Sequence, residues 1–165
     1  MAFSGGIDCE KYLGSKSSLK NITPSYFLKK GDEIKISNNK KLNFVVNHEL
    51  KLTTSSFLNV FSGPEFSILK KDSLNNLFNK EFTIGINNRM AYNLTEQIQT
   101  KTKSIISSPV LPGTVQLTPS GNIIILHRDC QTTGGYPRIL QLNEKSLDDL
   151  SQFKNGDKIK LKLIN

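Results

Sequence analysis

Short runs with the two-residue period of a β-strand recur along this chain, and they constrain its fold more than any other feature. FLNVF (57–61), FTIGI (82–86), RILQL (138–142) and DKIKLKLI (157–164) follow the pattern, as do EIKIS (33–37), LNFVV (42–46) and NIIIL (122–126). Successive strand side chains point to opposite faces, so such runs predict half-buried strands. Pro109, Pro112 and Gly113 in SSPVLPGTVQL, and Pro119 with Gly121 in TPSGN, cut the second half into short pieces with tight connections. The expectation is a mainly β chain of about ten strands with one or two short helices. Ser73 is placed to cap a helix carrying Leu74, Leu77 and Phe78, and SLDD (146–149) matches a capping box ahead of Leu150 and Phe153.

No shift of composition marks a linker, and 165 residues suit one hydrophobic core, so residues 1–165 are expected to form a single compact domain. One local pattern occurs twice, LKKGDEIKI (28–36) and FKNGDKIKL (153–161). In each, a Gly-Asp turn launches an alternating strand, which is turn chemistry without a catalytic signal.

The N-terminus lacks a basic segment followed by an apolar one, and no window approaches a membrane span, so a soluble cytoplasmic protein is expected. Cys9 and Cys130 lie far apart, with no Cys or His spaced to form a disulfide framework or a metal site. His48 and His127 are isolated and read as packing or surface residues.

The formal charge of +8 raises the question of nucleic acid, but 22 basic residues include only three arginines, and the lysines are scattered among asparagines. Without a basic stripe interleaved with aromatic rings, nucleic-acid binding is not expected. The three arginines, Arg89, Arg128 and Arg138, are the more informative cations. A guanidinium fork binds carboxylate or phosphate in a bidentate way that an ammonium cannot copy. These positions either need the fork for a ligand or hold structural ion pairs.

Two of them bracket RDCQTTGGYPR (128–138). As a hairpin between NIIILHRD and YPRILQL, this stretch would use Gly134 and Gly135 for positive φ. As a site, it would offer Gln131, Thr132 and Thr133 as donors, bare backbone at both glycines, and Tyr136 beside Arg138. The polar excess favours a site. A second candidate is the strand end at FTIGINNRMAY, where Asn88, Arg89 and Tyr92 could meet a carboxylate or amide. GSKSS (14–18) resembles a phosphate loop only partially, since Ser15 separates Gly14 from Lys16.

RDCQTTGGYPR and the preceding PVLPGTVQLTPSGNIIIL closely resemble the C-type subunit of bacterial ATP-dependent 5-oxoprolinase, also known as the second allophanate hydrolase subunit and as the carboxyltransferase domain of biotin-dependent urea amidolyase. SGGIDCEKYLGSKSS (4–18), LKKGDEI (28–34), NVFSGPEF (59–66), NNRMAYNL (87–94) and FKNGDKIKL (153–161) continue the likeness in order along the chain. The resemblance implies a cyclophilin-like β-barrel and ATP-driven opening of the 5-oxoproline lactam to glutamate. It also implies two partners, a homologous B-type subunit and an A-type subunit, with which ATP is shared. In the urea amidolyase relatives the equivalent domain moves a carboxyl group from biotin, so that reaction is the alternative, and a non-catalytic module docking on a B-type partner is another.

Family members usually place an arginine where Lys16 stands. They are also about twice as long, so the chain is expected to correspond to a C-terminal half: a fragment, a split gene product or a shortened homologue. The roles expected within that frame are anion binding by Arg128 and Arg138, an oxyanion side lined by Thr132, Thr133 and Gly134, and a pocket closed by Asn88, Arg89 and Tyr92. Arg128, Thr132 and Thr133 are the catalytic candidates. Gln131, Gly135 and Tyr136 join the remaining residues as substrate-binding candidates.

Overall fold

The computed structural model describes residues 5–19, 21–23, 27–37 and 55–164. Its contacts divide the chain into two compact units, Met1–Lys51 and Leu52–Asn165.

In the first unit the described residues form turns and two isolated bridges, Ile7 with Ile36 and Tyr12 with Ser15. The strand expected at EIKIS reduces to the single bridge at Ile36, whose side chain stays 49% exposed. A strand with no apolar face to bury gains too little to offset the ordering of its backbone. LNFVV and His48 lie outside the described residues.

The described residues of the second unit hold nine strands: β1 Phe57–Ser62, β2 Phe82–Asn87, β3 Ala91–Gln97, β4 Ser108–Pro109, β5 Thr114–Leu117, β6 Asn122–Leu126, β7 Thr133–Gly134, β8 Arg138–Leu142 and β9 Lys158–Leu163. A 3-10 turn, Phe66–Ile68, precedes helix α1, Lys71–Asn79, and helix α2 is Glu144–Leu150. Seven strands close a barrel in the order β1-β8-β5-β6-β3-β2-β9, sealed by parallel pairing of β1 with β9. This is the mainly β barrel with short helices that the sequence predicts. Its interior is filled by side chains at alternate positions, among them Leu58, Phe82, Ile84, Ile123, Ile125 and Leu140, all inaccessible to solvent. Each such side chain contributes about 1.5–3 kcal/mol through burial. No helix among the described residues is long and apolar enough to cross a membrane.

Both helix starts differ from expectation. The N-cap of α1 is Lys70, which offers no side-chain cap, and Ser73 lies inside the first turn, where its buried hydroxyl donates to Gln99 O at 2.9 Å. α2 is capped by Asn143, whose Oδ1 accepts from Ser146 N at 2.8 Å. Ser146 Oγ instead accepts from Asn59 N on β1 at 2.8 Å. In both cases tertiary partners claim a hydroxyl that local pattern assigns to a cap.

The duplicated turn is real. Asp32 Oδ2 accepts from Lys29 N at 2.7 Å, and Asp157 Oδ2 accepts from Lys154 N at 2.8 Å. Gly31 and Gly156 take φ of 96° and 92°, as the third position of a type II turn requires.

The hairpin reading of RDCQTTGGYPR does not hold. β6 and β8 lie on opposite sides of β5, each antiparallel to it, so they run parallel to one another. A tight turn cannot join parallel strands. The stretch is therefore a crossover that runs from one end of the barrel to the other. The segment between β3 and β5 makes the reverse journey, and the two pair midway as β4 and β7, Ser108 with Gly134 and Pro109 with Thr133.

Candidate functional site

The crossover divides the expected site residues between the two ends of the barrel. Arg128 stands where β6 ends and Arg138 where β8 begins, about 16 Å of strand apart. Each is bonded to carboxylates of its own end of the barrel.

At the α2 end, Arg128 Nη2 donates to Glu144 Oε2 at 2.9 Å and to Asp148 Oδ1 at 3.0 Å, tying the crossover to α2. Arg89 forks onto Asp129, with Nε 2.7 Å from Oδ2 and Nη2 3.2 Å from Oδ1. Asn88 Oδ1 accepts from the amides of Met90 and Ala91 at 2.8 and 3.1 Å, forming the β2–β3 turn. Tyr92 is buried in the barrel interior, its ring 5.3 Å from that of His127. His127 is 9% exposed, and neither ring nitrogen has a hydrogen-bond partner among the described residues. Burial first, and then the charge of Arg128, push its pKa below the ordinary histidine value. Burial likewise raises the Cys130 thiol.

Along the crossover, Gln131, Thr132 and Thr133 are exposed, and Thr132 O accepts from Val110 N at 3.0 Å. Beneath them lies β5, all four of whose residues are buried although a barrel strand has an outer face. The crossover supplies that cover: Gln116 is 1% exposed, and its Nε2 donates to Tyr136 O at 3.3 Å. A Cβ at Gly134, whose φ is not in the positive range, would lie 2.5 Å from Gln116 Nε2, so a side chain there would displace the buried Gln116 amide. Gly135 is different. Its Cβ would meet only Ile105 O, at an ordinary 3.5 Å, and its φ is also not in the positive range. Nothing among the described residues demands that glycine, and bare backbone of this kind suits close approach by another molecule.

At the α1 end lies a groove of about 930 Å³, and none of the expected site residues is among those that line it, although Arg138 and Tyr136 flank Pro137, which does. Three sequence blocks converge there: Glu65 from NVFSGPEF, Ser120 from TPSGN and Pro137 from RDCQTTGGYPR. Arg138 fastens two of them. Its Nε and Nη2 donate to Glu65 Oε2 and Oε1 at 3.0 and 2.7 Å, its backbone N to Oε2 at 2.9 Å, and its Nη1 to Pro109 O at 2.8 Å. These bonds hold the Glu65 carboxyl below the ordinary carboxylate range. Tyr136, 38% exposed, adjoins the groove through Pro137.

To the same groove α1 contributes Asp72 and Asn76, and the segment after β3 contributes Gln99 and Thr102. The Ser73–Gln99 bond joins these two segments. Lys70, Lys101 and Lys103 also line the groove, and none forms an ion pair among the described residues. Sequence reading missed all of these. QIQTKTKS carries polar residues in both strand phases, and only the fold shows that it borders a cavity. Glu65 alone had a signal, its place in NVFSGPEF.

In the first unit, Lys16 Nζ donates to Ile7 O at 2.9 Å and Ser15 Oγ accepts from Ser17 N at 3.1 Å. In GSKSS these groups serve the local backbone.

The family model for the carboxyltransferase domain, subdomain A and B, matches residues 1–163. The chain is 31% identical over 166 residues to the C-type subunit of 5-oxoprolinase from Escherichia coli, with 96% of this chain covered. It spans only 54% of that relative. Among solved structures, TTHA0988 superposes with a TM-score of 0.72 at 22% identity, covering 98% of this chain and 32% of that one. The K. lactis urea amidolyase superposes at 0.67 and 19% identity, covering 99% of this chain and 12% of that one. Both likenesses are of fold.

Proposed function

Because the chain belongs to the family of carboxyltransferase domains with subdomains A and B, we propose that it is a component of an ATP-dependent 5-oxoprolinase-like amidohydrolase, inactive by itself. The observation that carries this is the 31% identity to a 5-oxoprolinase C-type subunit over 96% of the chain. On this reading it works beside B-type and A-type partners, and the nucleotide is held with them.

The groove at the α1 end is the best seat for the lactam. A cyclic amide offers one carbonyl acceptor and one N–H donor, and the Asn76 and Gln99 amides carry both complements. Arg138 acts as a positioning residue, holding Glu65 and Pro137 in the groove lining. Arg128, Arg89 and Asn88 hold the α2 end together, and Thr132, Thr133 and Gly135 form an outward face of the crossover open to a partner protein.

The test is ATP hydrolysis dependent on 5-oxoproline, measured with the A-type and B-type partners and with or without this chain. Turnover that requires all three supports the proposal, and absence of lactam-dependent turnover with every component folded contradicts it.

A further inference from the structure

We propose that Lys70, Lys101 and Lys103 bind the phosphate group of a small phosphorylated ligand in the groove at the α1 end. The inference shares with the proposed function only the premise that this groove is a ligand site.

The three lysines line one concavity and have no carboxylate partner among the described residues. Lys158 and Lys160 face Glu81, and Lys145, beside the smaller cleft near α2, pairs with Asp149; Lys71, Lys80, Lys154 and Lys162 are also without an ion pair among the described residues, so what sets Lys70, Lys101 and Lys103 apart is that all three line one groove. Within the groove, the Glu65 charge is cancelled by Arg138, which leaves Asp72 against three lysines and a net charge of +2. Like charges gathered around a concavity repel one another and focus a positive potential, and a bound anion relieves the one and uses the other.

The kind of anion follows from the kind of cation. Carboxylates are matched best by the planar guanidinium fork, and every arginine fork in the chain is already occupied by an internal carboxylate. Flexible lysine side chains from two segments, Lys70 ahead of α1 and Lys101 and Lys103 after β3, suit a tetrahedral, multiply charged phosphate. Asn76, Gln99 and Thr102 add neutral donors in the same groove.

Calorimetric titration of the full chain alone with pyrophosphate, orthophosphate and succinate in about 150 mM salt, where bulk screening is near physiological, tests the inference. The triple variant K70A/K101A/K103A is compared with K80A/K154A/K162A, which removes the same charge away from the groove. All six lysines are exposed, and matching melting temperatures confirm that both variants fold. Pyrophosphate affinity is expected to fall by about tenfold or more in the groove variant and by less than about twofold in the control, with succinate weaker than pyrophosphate throughout. Equal losses in both variants, no binding of either phosphate, or succinate binding as tightly as pyrophosphate would overturn it. No partner protein is present in this titration, so its outcome is independent of whether lactam-dependent turnover is found.

Discussion

Replacing Glu65 with glutamine tests whether Arg138 is a structural clamp. The substitution keeps the shape of the side chain and removes its charge, leaving a guanidinium that is 18% exposed without its counter-ion. Exposed pairs contribute up to about 1 kcal/mol. Breaking a buried pair costs about 3–5 kcal/mol, since the remaining charge stays desolvated. The Glu65 side chain is 22% exposed and takes three bonds from Arg138, so the loss should fall between these limits, at about 2–3 kcal/mol. For a chain of this size that corresponds to a melting temperature lower by about 5–10 °C. Thermal unfolding of wild type, E65Q, R138M and the double variant closes a cycle whose coupling energy should be about 2 kcal/mol. Because the folded Glu65 pKa is lowered, the stabilisation is complete above the unfolded value of about 4.3 and is lost as pH falls through the folded value. The gap between wild type and E65Q therefore narrows in acid. A loss under about 0.5 kcal/mol at pH 7, or a coupling energy near zero, would refute the clamp.

The two glycines of the crossover should separate cleanly. Gly134→Ala pushes a methyl group toward the buried Gln116 amide and should cost about 1–3 kcal/mol in urea unfolding, whereas Gly135→Ala should stay within about 0.5 kcal/mol while weakening association with a B-type partner. His127, held neutral by burial, should make stability fall as pH drops from its unfolded pKa of about 6.5 through the lowered folded value. His127→Phe should flatten that part of the melting-temperature profile, below the unfolded pKa of about 6.5. Arg89→Ala loses only an exposed pair and should lower stability by less than about 1 kcal/mol in the same unfolding assay.

The barrel was legible where a strand has one wet face. β1 and β9 follow the alternation, while β2 and β8 each bury two adjacent residues, Ile84 with Gly85 and Ile139 with Leu140, and β6 falls where NIIIL predicts it. β5 was not, because the crossover covers its outer face and TVQL is buried at every position, including Thr114 and Gln116. β3 hides in AYNLTEQ, where Tyr92 and Leu94 point inward between polar neighbours. RDCQTTGGYPR was recognisable as unusual, but its path depends on strand order, which local pattern does not contain. For that reason Arg128 and Arg138 looked like one site and stand at opposite ends. The groove lysines were invisible among many others, since only tertiary structure distinguishes a lysine facing a cavity from one facing bulk solvent.

The value of kcat/KM for 5-oxoproline in the enzyme reconstituted with its A-type and B-type partners tests most directly which end of the barrel is functional. Gln99→Leu, on the groove wall, should lower it by about tenfold or more without changing the melting temperature, while Arg128→Met, at the α2 end, should leave it within about twofold. An unchanged value for Gln99→Leu together with a collapse for Arg128→Met would place the chemistry at the α2 end and contradict the account.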